Sequence, residues 1–321
     1  MKLTEDYIAQ LQVAMRSDVA RRFIRTRLTE SLLLINIDPV CIAAIHSVLE
    51  FLAYRQRITP ESLAVVGEKF QKAWRVHLNR TYFIEYETLR WPYLRDYVLK
   101  DIDPNIRLGR CLDTGCGRGW LTSQLVISRL ADSAMGIDAA GYESEWKERL
   151  AQFKGPGLDF VRVPVGDFGD WTQRQAKFDT ILMLYVLHHS TEYWAVTTLQ
   201  MLQQVMSPVS KLIIVEDSCS TNAPAKHDRD NINGLWASIA SSSQIYALTD
   251  AFHIQIVLDF VAVQLLANFG DVDMPCTYKK VDEWEHLFDR LGFSVQKAVY
   301  LGFPKERDID VPQSYFVLKL K

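Results

Sequence analysis

Residues 110–125 read RCLDTGCGRGWLTSQL. A short apolar lead-in ends in an acid, Asp113. Three glycines follow on alternate positions, Gly115, Gly117 and Gly119, and a helix-like tail closes the stretch. Glycines in a strand-to-helix turn let backbone approach a ligand closely, because no Cβ stands in the way. A dinucleotide turn has the spacing Gly-x-Gly-x-x-Gly and aims a helix N-terminus at a pyrophosphate. Here the spacing is Gly-x-Gly-x-Gly, and an acid beside a pyrophosphate would repel it.

Downstream of about residue 107, short apolar runs alternate with helical stretches. The runs are RCLDTG, SAMGIDA, LDFVRVPV, FDTILMLYVL, KLIIVEDS, FSVQKAVYL and SYFVLKL. Between them lie TSQLVISRL, YESEWKERLAQF, YWAVTTLQMLQQV and VDEWEHLFDRLG, all with helical spacing. Continuous apolar strands separated by helices predict a parallel sheet covered on both faces. The last two runs are joined only by FPKERDIDVPQ and read as an antiparallel hairpin at one edge. The connection after KLIIVEDS is long and carries helical segments of its own, so it reads as an insertion over about 219–280.

Upstream, residues 1–100 contain no convincing strand. EDYIAQLQVAMRSDVARRFIRTRL, DPVCIAAIHSVLEFLAYRQ and TPESLAVVGEKFQKAWRVHL show apolar residues at helical spacing. Asp38 is a plausible N-cap with Pro39 at the first helical position. The expected division is a helical subdomain over 1–100, acting as a lid or substrate subdomain, and a sheet domain over 101–321 that contains the insertion.

The 321 residues carry a net charge of −3, which argues against a nucleic-acid partner. Five scattered cysteines, without a CxxC pair or a Cys/His cluster, suit a reducing cytoplasm and predict no metal site. The N-terminus lacks the pattern of a secretion signal. The greasiest stretch, FHIQIVLDFVAVQLLANF, is interrupted by Asp259 and two glutamines and reads as a buried helix, so no membrane span is expected.

The order of the strands and the residues at their ends resemble a class I S-adenosylmethionine-dependent methyltransferase, over about 107–321 with the insertion set aside. The implied fold is α/β and Rossmann-like. It has a mostly parallel seven-stranded sheet with helices on both faces and an antiparallel C-terminal edge hairpin, plus the N-terminal all-helical subdomain. In that family the first strand ends in acidic-x-Gly-x-Gly-x-Gly, matched by Asp113, Gly115, Gly117 and Gly119. The resemblance implies that the zwitterionic tail of S-adenosylmethionine lies against Gly115 and Gly117, with Asp113 pairing its ammonium or orienting the turn. Asp138, about twenty residues on, matches the acid that binds both ribose hydroxyls, although an Asp at a strand end is often an N-cap. Asp167 and Phe168 match the adenine-binding acid and its apolar neighbour, with Asp170 a competitor. Leu184 and Tyr185 would end the fourth strand beside the cofactor, while Asp179 looks structural.

His189 is a candidate base, since a near-neutral pKa suits proton removal; a His at this point is also common in relatives that do not use it chemically, and His188 is the weaker choice. Glu216 and Asp217, ending the fifth strand, would face the pocket as amine binder or base, or cap the insertion. In TYFIEYETLRWPYLRDY, starting at Thr81, the family often uses a tyrosine over the methionine moiety. Tyr82 and Tyr86 are the candidates, with Trp91 more in keeping with core packing.

These readings together predict a methyltransferase acting on an enclosed small molecule in secondary metabolism. The expected cofactor is S-adenosylmethionine and no metal is expected; a homodimer is one assembly open to the chain, whose oligomeric state is not legible in the sequence. A few relatives instead cyclise S-adenosylmethionine to azetidine-2-carboxylate and methylthioadenosine. No motif separates that lyase from the transferase.

Overall fold

The computed structural model describes residues 4–55, 57–80, 89–153, 155–220, 225–226, 246–266, 277–302 and 311–321. The chain forms two compact units. One joins Met1–Arg90, Thr221–Tyr278 and Leu301–Pro312; the other joins Trp91–Ser220, Lys279–Tyr300 and Gln313–Lys321.

The first unit opens with four helices, α1 (Glu5–Arg16), α2 (Asp18–Leu34), α3 (Pro39–Tyr54) and α4 (Pro60–Arg80). Local chemistry sets their starts. The Thr4 side chain accepts from Tyr7 N at 3.1 Å to cap α1, and the Asp38 carboxylate accepts from Val40 N at 2.7 Å to cap α3. Pro39 at the first position of α3 gives up an N–H that would have no helical partner anyway. Leu11, Leu28, Leu32, Ile45 and Leu52 are fully buried between these helices.

In the second unit the chain runs β1 (Gly109–Thr114), α5 (Trp120–Ile127), β2 (Ala131–Asp138), α6 (Glu143–Gln152), β3 (Leu158–Arg162), α7 (Phe168–Gln173), β4 (Phe178–Leu184), α8 (Glu192–Gln203) and β5 (Met206–Cys219). Asp179 accepts the N–H of Arg110 at 2.7 Å and so ties the start of β1 to β4. The insertion then returns to the helical unit as α9 (Tyr246–Asp259), which continues through a π-helical turn, Phe260–Leu266. Its buried residues Ile254, Val257, Leu258 and Val261 complete that unit's core, and Tyr278 donates to Asp259 at 2.7 Å. The sheet unit closes with β6 (Lys279–Lys280), α10 (Val281–Arg290), β7 (Phe293–Gly302) and β8 (Gln313–Leu320).

The sheet order is β3-β2-β1-β4-β5-β8-β7, with the two-residue β6 beside the end of β5. Strands β3 to β5 are parallel, and β8 runs antiparallel to β5. This is the Rossmann-like α/β fold expected from the strand pattern. β4 ends at Leu184, earlier than the apolar run FDTILMLYVL suggests, because Tyr185 takes φ 60° and turns the chain out of the sheet. Cys41, Cys111, Cys116 and Cys219 are free thiols. Among the described residues, no helix is long and apolar enough to cross a membrane.

Candidate active site

The strand order reverses between β1 and β4, because the chain leaves β1 toward β2 and β3 and then crosses back to place β4 on the other side. A crevice opens beyond the C-terminal ends of the strands at such a switch point, and open α/β sheets bind ligands there. The glycine turn after β1 lies at this place. The N–H groups of Gly115 and Cys116 both donate to Ile137 O, at 2.8 and 3.0 Å. That of Gly117 donates to the Asp138 carboxylate at 2.8 Å, whose other oxygen accepts from Ala140 N at 2.8 Å. Three consecutive amides are thus consumed by the end of β2. A phosphate nest needs such amides pointing at the anion, so this turn is not one.

Each glycine answers a different constraint. All three have positive φ, at 75°, 52° and 73°. A Cβ on Gly115 would stand 2.4 Å from Val186 Cγ2, and one on Gly119 would stand 2.3 Å from Phe160 Cε1. A Cβ on Gly117 would meet nothing within 4 Å. Gly115 and Gly119 are therefore required by the protein's own packing, and Gly117 borders open space. The carbonyl of Gly117 accepts from the Trp146 indole at 2.8 Å, and that indole stacks on Phe160 with centroids 5.7 Å apart at 8°. Trp146 on α6 and Phe160 on β3 were not legible as site residues. Their only signal is aromatic side chains placed one element beyond the motif.

Asp113 is 2% exposed and accepts the Thr122 hydroxyl at 2.6 Å, which pins α5 to the end of β1. Burial pushes its pKa up to about 6, against the Thr122 bond and with help from the Asp138 charge. Burial raises Asp138 too, opposed by its bonds from Ala140, Gly117 and Ala139 N–H. Next to Asp113, Thr114 Oγ1 is buried and has no hydrogen-bond partner among the described residues.

The loop after β4 is held by Glu216. This residue, 0% exposed, accepts from Val186 N at 3.0 Å and Leu187 N at 2.7 Å through one oxygen, and meets His188 Nδ1 at 2.6 Å with the other. Glu216 thus spends its carboxylate on the loop, whereas its place at the end of β5 suggested a group facing ligand. His188 is 2% exposed in this pairing, and the His189 ring lies beside it, tilted by 46° with centroids 4.0 Å apart. Asp217 accepts from Gln313 Nε2 at 2.8 Å, and Gln313 in turn accepts the Tyr185 hydroxyl at 3.0 Å. Gln313, on β8, is a further residue with no signal in the sequence.

On the third strand's side, Asp167 lies exposed in a 3-10 turn over Val165–Asp167, and Phe168 is buried and stacked on Trp171. Leu184, 8% exposed, ends β4. Tyr82 and Tyr86 lie outside the described residues. Trp91 is buried at 9% exposure, in keeping with core packing.

The residues present fit S-adenosylmethionine. Open space borders Gly117, a buried carboxylate (Asp113) and a half-buried one (Asp138) flank the turn, and the Thr114 hydroxyl is buried without a partner among the described residues. An acid-lined turn whose amides are used internally attracts positive charge and hydroxyls and repels phosphate.

The methyltransferase domain family model matches residues 84–298. The chain belongs to this family, and its cofactor is S-adenosylmethionine. No curated protein matches it by sequence. Among solved structures it is similar to 1,6-didemethyltoxoflavin N1-methyltransferase of Burkholderia thailandensis, crystallised with 1,6-didemethyltoxoflavin and S-adenosylhomocysteine: 16% identity, TM-score 0.46, covering 83% of this chain and 92% of that one. It is also similar to DhpI in complex with S-adenosylhomocysteine, at 13% identity and TM-score 0.42 over 79% of this chain and 96% of that one. A third likeness is to mitomycin 7-O-methyltransferase, at 16% identity and TM-score 0.43 over 67% of this chain; the match spans about half of that protein, 49%.

Three outcomes follow from this geometry. Gly117→Ala should keep the fold, losing about 1–2 kcal/mol to its left-handed φ, yet weaken S-adenosylhomocysteine at least tenfold; normal calorimetric affinity would show that the open space is not the cofactor's. Glu216→Ala should destabilise the chain by about 3 kcal/mol, because two buried N–H groups and a His lose their acceptor, and Glu216→Gln by less than half of that; urea melts within 1 kcal/mol of wild type for the alanine variant would refute the clamp. The folded pKa of Asp113 lies above its unfolded value, so the native state holds more protons between about pH 4 and 6, and stability falls as pH rises through that window. Asp113→Asn should remove that fall, gaining on the order of 3 kcal/mol relative to wild type between pH 4 and pH 7.5. Parallel pH profiles for the two proteins would contradict the buried-charge assignment.

Proposed function

We propose that the chain transfers a methyl group from S-adenosylmethionine to a small molecule. The observation that supports this best is the turn itself. It has open space at Gly117, internally satisfied amides, and two carboxylates raised by burial. Bound there, S-adenosylmethionine supplies an electrophilic methyl on a positively charged sulfur.

In this reading Asp138 accepts the ribose hydroxyls with the lone pairs that its two backbone bonds leave over, since a carboxylate offers about four acceptor sites. Gly115 and Gly117 allow the amino-acid tail against the backbone, and Asp113 biases the site toward its ammonium. Asp167 and Phe168 hold the adenine, and Leu184 walls the pocket at the end of β4. His189 or Asp217 removes a proton from the acceptor. The hydrogen bond from Gln313 orients Asp217 for that role. Displacement at a sulfonium methyl needs alignment and exclusion of water more than acid–base power, so few catalytic groups are required.

Titration calorimetry should give micromolar-range binding of S-adenosylmethionine, weakened by about 1.5–3 kcal/mol in Asp138→Ala. Preference for NADH over S-adenosylhomocysteine would sink the reading. Product analysis should give S-adenosylhomocysteine only when an acceptor is added. Methylthioadenosine formed from S-adenosylmethionine alone would replace methyl transfer by the cyclising lyase.

A further inference from the structure

Gln255, on α9, is 0% exposed, and among the described residues neither its amide Nε2 nor its amide Oε1 has a hydrogen-bond partner. By contrast Gln71, a buried amide on α4 in the same unit, donates to the carbonyl of Leu265. A buried donor and a buried acceptor left unpaired each cost their desolvation. A methionine has nearly the same shape and would fill the position without that cost. Packing alone therefore does not account for a glutamine here.

The helix geometry defines what surrounds the amide. Residues Ile254 to Leu258 of α9 are all buried, and half-exposed positions stand on either side, at Phe252 and Asp259. Residues three and four apart share a helix face, so Phe252, Gln255 and Asp259 form one stripe. Tyr278 bridges its ends. The Tyr278 ring stacks on Phe252, with centroids 6.4 Å apart at 16°, and its hydroxyl donates to Asp259 at 2.7 Å. These two contacts lie to either side of Gln255. Directly after Asp259 the helix widens into the π-helical turn Phe260–Leu266, a form that recurs at functional sites. All of these residues belong to the helical unit.

A ligand for this stripe must satisfy an amide at both ends. A carboxylate offers only acceptors, and an ammonium group only donors. A carboxamide or a lactam carries one of each, side by side in one plane, and so pairs with a glutamine amide at two points. The rings of Phe252 and Tyr278 suit a flat body beside that pair. We propose that the Gln255 stripe binds a small planar molecule with a carboxamide or lactam edge. The edge pairs with the Gln255 amide, and Tyr278 swings off the stripe to admit it. The site lies in the helical unit and does not depend on methyl transfer.

The test uses the full chain without S-adenosylmethionine. Benzamide, benzoate and acetophenone share a ring and differ in the attached group, which offers a donor with an acceptor, acceptors only, and one acceptor. NMR titration should show one saturable site for benzamide, with the other two about tenfold weaker or worse. Gln255→Met keeps the length of the side chain and removes the amide. Its urea midpoint should lie above that of wild type, because an unpaired buried group is gone, and its affinity for benzamide should fall about tenfold or more. Tyr278→Phe releases the ring from Asp259 and should tighten benzamide about threefold, since the open form is then more populated. The proposal is overturned if benzamide shows no saturable binding, if benzoate or acetophenone binds as tightly, if Gln255→Met leaves the affinity for benzamide unchanged, or if Tyr278→Phe weakens it. A lower urea midpoint for Gln255→Met also overturns it, because internal water would then already satisfy the amide.

Discussion

The carboxylate of Glu216 holds the crevice in shape. A buried carboxylate is tolerated only where donors surround it, and this one has two backbone N–H groups and an imidazole. Because those amides belong to Val186 and Leu187, the bonds fix the loop that follows β4. The loop can then leave the sheet at Tyr185, whose φ of 60° is costly for a side chain of that size. The same loop brings Val186 onto Gly115, so close that no side chain fits there. A charge on β5 thus dictates a glycine at the end of β1. The two strands that flank the switch point are locked together across their loops, not only through their shared ladder.

How far the sequence reveals this depends on the kind of constraint. Strand order, the acid before the glycines and Asp138 at the end of β2 are visible because they follow from periodicity and from position relative to strand ends. The sheet order and the antiparallel β8 agree with that reading. The contacts that shape the turn are not visible. Trp146 bonds Gly117 from 29 residues away, Phe160 blocks Gly119 from a strand two places along, and Glu216 reaches back 30 residues to Val186. Side-chain contacts at such separations leave no repeating pattern. Glu216 and Asp217 adjoin in sequence and look alike there. In a strand, neighbours point to opposite faces, and so one serves the β4 loop while the other meets Gln313.

The glycines make the same point within five residues. By sequence they form one motif with one purpose. By structure two of them are excluded from carrying a side chain by the protein's own Val186 and Phe160, and one borders open space. The motif is therefore mostly a packing device that sets the turn's curvature, with a single position bordering open space. Its amides confirm the division: a turn built to hold phosphate would leave them pointing outward, and here β2 takes all three.

Electrostatics completes the turn's selectivity. Asp113 and Asp138 are both pushed up by burial, and the charge of Asp138 adds to the shift at Asp113. Desolvation and a neighbouring negative charge both disfavour a charged carboxylate, so a second charge beside Asp113 carries a cost. A ligand that brings a positive group and hydroxyl donors relieves it, and a ligand that brings phosphate worsens it. Asp113, too buried to be a freely accessible contact, keeps α5 in place through its bond from Thr122.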